Sequence, residues 1–169
     1  MGLDMYLQIR KTEYCTHRFK TEGSDLKLEL PKGVSKFFPD PCDLSISRST
    51  VYNVGYWRKA NHIHNWFIEN CATRDRFDEP IDDSRPIEIP IEKLEELLNT
   101  CKEVLEDNSL AEELLPTKDG FFFGSTEYGE WYFDDIEETI EIIEPVVEFM
   151  KNNMENKDKT WDVIYQAIW

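Results

Sequence analysis

Alternation of apolar and polar residues predicts β-strands at both ends of the chain. Residues 3–11 carry an apolar side chain at every second position, the period expected of a strand with one buried face. The apolar side of this strand consists of Leu3, Met5, Leu7 and Ile9. Residues 160–169 alternate in the same way, and their shared side carries Trp161, Val163, Tyr165 and Ala167. Shorter alternations predict three further strands, at residues 26–30, 44–54 and 87–89.

Longer segments repeat apolar residues at the spacing of an amphipathic helix. The first helix is predicted over residues 55–71, opening at Gly55, and the second over residues 91–106. The apolar stripe of the first helix consists of Tyr56, Ala60, Ile63, Phe67 and Cys71. Residues 110–115 predict one more helical turn.

The aromatic segment that follows predicts a β-hairpin over residues 120–133, with a turn near Gly129. A third long helix is predicted after it, because Asp134 and Glu137 have the spacing of a capping box. Pro145 lies inside the apolar pattern of this helix and predicts a kink or a break there.

These elements predict an α+β fold, an antiparallel or mixed sheet with about three packed helices. The length of 169 residues suits a single α+β domain, residues 1–169. The polar residues 12–43 predict an irregular insertion within it. An aromatic content of 13% argues against disorder.

The net charge of −16 restricts the partners of the protein. Such a charge repels phosphate backbones and anionic membranes, so we expect no nucleic-acid and no membrane partner. It favours basic partners, although a solvated acidic surface is the simpler explanation. The four cysteines, Cys15, Cys42, Cys71 and Cys101, form no C-x-x-C pair. With no signal peptide recognised in the first residues, these thiols predict a cytoplasmic protein.

The predicted first helix carries the strongest candidate site. Trp57, Asn61 and His64 lie at i, i+4 and i+7, so on a helix their side chains would stack along one face. Arg58 and Lys59 add two cations at the same end. This pattern indicates a pocket in which Trp57 stacks on a ring, Asn61 and His64 bind its edge, and Arg58 holds an anionic group. Taken singly, each of these side chains is explained more simply by a structural role, as a core polar group or in an ion pair. The face as a whole favours binding more, because buried polar groups cost free energy unless they are bonded.

Further candidates lie outside that helix. Ser125, Thr126 and Tyr128 follow Gly124 in the aromatic segment and are expected opposite the pocket, and Asp4 is a lone acid near the start of a strand. A tight turn is the simpler explanation of the glycine. His62 and His64 are two residues apart and point in different directions on a helix, so we expect no metal and no cofactor.

Three motifs resemble a group of small proteins encoded by bacteriophages and prophages. They are Gly2-Leu3-Asp4-Met5-Tyr6-Leu7, Tyr56-Trp57-Arg58-Lys59-Ala60-Asn61 with its continuation to Phe67, and Gly120-Phe121-Phe122-Phe123-Gly124-Ser125-Thr126-Glu127-Tyr128. The resemblance implies a phage setting, in the cytoplasm of an infected bacterial host, and carries no catalytic residues. It also implies an accessory role against host defences.

Three functions therefore stay open. The first is a phage accessory protein that binds a small anionic, nucleotide-derived ligand and sequesters a host immune signal. The second is an acidic protein–protein inhibitor or charge mimic that blocks a basic host defence factor. The third is a nucleotide-modifying hydrolase that uses His64, although we expect binding rather than catalysis. A homodimer is compatible with each of them.

Overall fold

Four strands form one antiparallel sheet in the computed structural model, which describes residues 2–15, 46–153 and 160–169. The strands are β1 (Asp4–Cys15), β2 (Ile46–Arg58), β3 (Ile87–Ile89) and β4 (Thr160–Ile168). Their order across the sheet is β2-β1-β4-β3, and every neighbouring pair is antiparallel. The predicted α+β class is confirmed. The predicted strand at residues 26–30 and most of the insertion lie outside the described residues.

Four α-helices complete the described part of the chain. They are α1 (Asn61–Cys71), α2 (Ile91–Glu106), α3 (Ala111–Leu114) and α4 (Glu130–Asn153), with a 3₁₀ turn at Asn108–Leu110 before α3. The bounds of α2 match the prediction from its apolar spacing. Helix α4 continues through Pro145, so of the predicted kink or break the break is absent. Its buried residues on both sides of the proline, Ile143 and Val147, anchor it in the core.

The core lies on one face of the sheet, where the alternating residues of the two central strands point. Leu3, Met5 and Leu7 of the first strand region and Tyr165 of β4 are fully buried, which confirms the predicted alternation. Helix α1 covers this face through Phe67, whose ring stacks on that of Tyr165 at 4.1 Å. No helix in the described residues has the length and apolar character needed to span a bilayer.

The predicted helix at residues 55–71 is wrong in its first turn, because β2 continues to Arg58 and α1 begins at Asn61. Tyr56 lies opposite Tyr6 in the sheet and is 46% exposed on the open face, whereas Trp57 turns into the core. This alternation is the period of two of a strand. The apolar spacing also fitted a helix, and only pairing with β1 decides between the two.

The predicted hairpin at residues 120–133 is also wrong. The chain forms a turn in which the Phe123 N–H donates to the Gly120 carbonyl, and α4 begins at Glu130, four residues before the predicted cap at Asp134. The Tyr132 hydroxyl donates to the Leu115 carbonyl at 2.8 Å and holds the first turn of α4 in the core. This distant partner outweighs the strand preference of the aromatic residues.

Candidate ligand-binding cleft

The backbone between β2 and α1 is fixed by the start of β1 and by the loop of residues 115–129. The Lys59 N–H donates to the Leu3 carbonyl at 2.8 Å, and the Leu3 N–H donates to the Phe122 carbonyl at 3.1 Å. Leu3 therefore connects the two segments, and the loop lies beside the first turn of α1.

Lys59 and Gly124 meet at this contact, and both have left-handed backbone conformations, with φ of 66° and 94°. A Cβ atom added to Gly124 would lie 3.0 Å from the Cβ atom of Lys59 and 3.3 Å from its carbonyl oxygen. A side chain in this conformation costs roughly 1–2 kcal/mol per residue. The fold therefore holds Lys59 against its local preference, which is common where a backbone shapes a binding site.

Asn61 fastens the loop to the start of α1. Its Nδ2 donates to the carbonyls of Phe123 at 3.1 Å and Ser125 at 2.7 Å, and its Oδ1 accepts from the Lys118 N–H at 2.9 Å. The Asn61 side chain is 1% exposed, and its three hydrogen bonds all go to backbone groups of the loop. Asn61 also lines the cleft, and these hydrogen bonds give it a structural role there, while its predicted contact with the edge of a ligand stays a prediction.

These contacts leave a cleft of about 270 Å³ between the β2–α1 junction, the loop and the first turns of α4. The residues in its wall that bear on ligand binding are Arg58, Lys59, His62, Ser125, Trp131 and Asp135. The volume is close to the lower limit of small-molecule sites. The cleft therefore suits a ligand with a single ring system and one anionic group.

The cleft brings two cations together in a protein of net charge −16. The Arg58 Nε lies 3.9 Å from an Asp4 carboxylate oxygen, too far for a hydrogen bond, and 59% of the Arg58 side chain is exposed. In the described part of the chain Lys59 forms no ion pair. Glu127 and Asp135 also line the cleft, so its charge is mixed, with the cations at the β2–α1 junction.

His62 is the one described histidine whose ring carries a buried nitrogen without a hydrogen-bond partner, its Nε2. The side chain is 2% exposed, and its ring packs at 4.2 Å from that of Tyr132. Burial lowers the pKa of His62 to about 3, so the imidazole is neutral at physiological pH. A neutral imidazole has one donor and one acceptor nitrogen.

Asp135 lies half-buried on α4, and no hydrogen bond or ion pair of its carboxyl group occurs among the described residues. Burial, followed by the nearby charges of Glu138 and Asp134, raises the pKa of Asp135 to about 7. At neutral pH this group is therefore present both as a carboxylate and as a carboxylic acid that can donate a hydrogen bond.

Trp57 and His64 do not line the cleft. Trp57 is 1% exposed, and its Nε1 donates to the Thr139 hydroxyl at 2.9 Å, so its indole is not available for stacking on a ligand. His64 is completely buried between the Tyr165 hydroxyl, at 2.8 Å from Nδ1, and an Asp82 carboxylate oxygen, at 3.2 Å from Nε2. The predicted Trp57–Asn61–His64 stack is absent because Trp57 belongs to a strand.

The other predicted residues divide around the cleft. Ser125 lines the cleft. Tyr128 does not, but its hydroxyl accepts a hydrogen bond from the Thr117 N–H at 3.3 Å and so stabilises the loop. Thr126 is exposed, and its carbonyl accepts from the Thr117 hydroxyl. Asp4 accepts a 2.6 Å hydrogen bond from the Tyr56 hydroxyl on the open face of the sheet.

Two larger depressions, of about 450 and 470 Å³, lie elsewhere on the molecule. One is lined by residues around Ile91 and Trp161, and the other by residues around Ile142 and Phe149. Their described walls contain glutamates or an aspartate and no basic residue, so neither suits an anion.

Comparison with known proteins found no match, so a function has to be inferred from the fold and the cleft. No family model matches the chain, and neither a curated protein nor a solved structure matches it. Within the residues that the structure describes, no group of three or more His, Cys, Asp or Glu side chains is arranged to hold a metal ion.

Proposed function

We propose that the protein binds a small anionic ligand with a ring, in the cleft between the β2–α1 junction and α4. The observation that carries this proposal is the placement of Arg58 and Lys59 beside an exposed indole, that of Trp131, in one cleft. Trp131 is 83% exposed, which leaves its ring free to stack on a ligand, while the cations hold an anionic group.

The strained backbone at Lys59 supports this proposal. A lysine with φ of 66° packed on a glycine with φ of 94° fixes the direction in which the chain leaves β2. Both cations then project from one short segment whose backbone is bonded to Leu3. Because this backbone is fixed, the two cations start from defined positions, which limits the freedom that they lose on binding an anion.

A nucleotide of the size of a nucleoside monophosphate fits this chemistry, because it combines a flat ring with a phosphate. The phage setting implied by the sequence motifs extends the proposal to a role in which the protein sequesters a nucleotide-derived host signal. A volume of about 270 Å³ favours a single nucleotide over a dinucleotide.

The test is isothermal titration calorimetry at low salt with ribose 5-phosphate and with uridine and adenosine monophosphates. Arg58→Ala should weaken binding by about tenfold or more, the usual effect of losing a charge-assisted hydrogen bond. Arg85→Ala is the matched control, because Arg85 is equally exposed and pairs locally with Asp83 outside the cleft. Absence of binding, or equal affinities for the two variants, would refute the proposal.

A second candidate is an acidic inhibitor of a basic host protein. The observation that favours it is the row of exposed glutamates along α4, which includes Glu137, Glu141 and Glu148. Reversal of these charges should abolish salt-sensitive binding to a basic protein, whereas Arg58→Ala should leave it unchanged.

A further inference from the structure

The wall of the cleft contains two polar groups that the protein itself does not satisfy. The buried Nε2 of His62 has no partner, and the Asp135 carboxyl group has no hydrogen bond or ion pair within the described ranges. Buried polar groups in native proteins are nearly always bonded, so the unpartnered His62 Nε2 calls for an explanation, whereas the half-buried Asp135 carboxyl group still reaches solvent. Asn61, one residue before His62, shows the usual case, with three hydrogen bonds to the loop.

We propose that His62 and Asp135 recognise the hydrogen-bonding edge of a heterocyclic ring, such as that of a nucleobase, whose anionic group is held by Arg58 and Lys59. This inference rests on the proposed function and adds the specificity of the same cleft. It assigns roles to two residues that the pattern of apolar positions did not single out.

The placement of the two residues supports a shared target. Trp131 and Asp135 are four residues apart on α4 and therefore lie on the same side of the helix. His62 packs on Tyr132, the residue next to Trp131, and His62, Trp131 and Asp135 all line the same cleft. A ring stacked on the Trp131 indole would lie in the cleft that His62 and Asp135 line.

The chemistry of the pair matches such an edge. A neutral imidazole has one donor and one acceptor nitrogen, and a carboxyl group that exchanges its proton near neutral pH can donate or accept. Nucleobases present hydrogen-bond donors and acceptors side by side along their edges, as seen in the grooves of duplex DNA. Protonation of Asp135 also removes a negative charge that would otherwise repel the ligand's anionic group.

Calorimetry with three probes separates this inference from the proposed function. We expect uridine or adenosine monophosphate to bind about tenfold more tightly than ribose 5-phosphate, which lacks the base. His62→Phe keeps the ring against Tyr132 and removes both nitrogens, and Asp135→Leu removes the hydrogen bonds. Each variant should reduce this ratio to within about threefold. His62→Phe should leave the affinity for ribose 5-phosphate unchanged, and Asp135→Leu should leave it unchanged or raise it, because the substitution removes a negative charge.

The conservative variant Asp135→Asn should retain most of the preference for the nucleotide, because an amide both donates and accepts. The inference is overturned if the nucleotides bind no better than ribose 5-phosphate, or if His62→Phe weakens all three probes equally. Arg58→Ala should lower the affinity for all three probes while leaving their ratio intact. Failure of every probe to bind would instead overturn the proposed function, and the inference with it.

Discussion

His62 and Asp135 should make opposite contributions to the pH dependence of stability, although they line the same cleft. Burial lowers the pKa of His62 from 6.5 to about 3, so between these values the unfolded chain holds one proton more than the folded chain. The stability that His62 contributes is complete above pH 6.5 and is lost as the pH falls. The raised pKa of Asp135, from 3.8 to about 7, has the reverse effect, and its contribution is lost as the pH rises toward 7.

The size of each effect follows from proton linkage. A difference of one bound proton changes the free energy of unfolding by about 1.4 kcal/mol per pH unit. Between pH 5 and pH 6 the folded and unfolded chains differ in the protonation of both groups. Carboxyl groups with ordinary pKa values are ionised in the folded and in the unfolded chain over this range. We expect about 1 kcal/mol from each, below the full value because Asp135 is only half-buried and solvent weakens its interactions. The charged neighbours of Asp135 are Glu138 and Asp134 on α4, with Arg58, Lys59 and Glu127 in the cleft wall.

Urea unfolding, followed by tryptophan fluorescence at pH 5.0, 5.5 and 6.0, measures this difference. Relative to the unmodified protein, Asp135→Asn should gain about 1 kcal/mol on going from pH 5 to pH 6. His62→Phe should lose about the same amount over that interval. The m-values of the variants and of the unmodified protein must be equal, so that a change in the unfolding midpoint reports a change in stability alone. Differences of the same sign in the two variants, or none in either, would refute the assignment of these protonation states.

Two further predictions concern the framework of the cleft. Asn61→Ala leaves the partners of three hydrogen bonds unsatisfied and should destabilise the protein by about 3 kcal/mol, measured by urea unfolding. Asn65→Ala, which removes one long 3.4 Å bond, should cost less than about 1 kcal/mol, and equal losses would contradict the role of Asn61. Gly124→Ala should lose roughly 2 kcal/mol because its Cβ meets Lys59 in a left-handed conformation. Gly129→Ala meets no atom within 4 Å and should change stability by less than about 0.5 kcal/mol, so similar losses at both glycines would disprove the strain argument.

Elements whose apolar pattern fits only one type of secondary structure were predictable from the sequence. Helix α2 and strands β3 and β4 lie where periodicity put them, and the alternating residues of β1 face the core. The segment around Tyr56 and Trp57 was different, because its spacing fits both a helix and a strand over a few residues. Pairing with β1 across the sheet decides for the strand, and no local pattern contains that information.

The error in that segment explains why the candidate site was only partly predicted. Arg58, Lys59 and Ser125 do line one cleft, although the helix predicted around the first two and the hairpin predicted around the third were wrong there. Trp131 and Asp135 were missed because residues 120–133 were predicted as a β-hairpin, whereas α4 already begins at Glu130. His62 was considered only as a metal ligand beside His64, and the signal that identifies it, an unsatisfied buried nitrogen, exists only in three dimensions.

The strand order β2-β1-β4-β3 has a consequence for how the protein is made. Arg10 of β1 bonds to Asp162 of β4 across 152 positions of sequence, so the centre of the sheet is its least local part. Closing so long a loop precedes any gain from the pairing, and folds rich in distant contacts form slowly. On the ribosome, β1 can pair with β2 early, but its other edge stays open until residues 160–168 emerge. Completion of the core, and with it the support beneath Lys59 and α1, therefore waits until residues 160–168 have been synthesised.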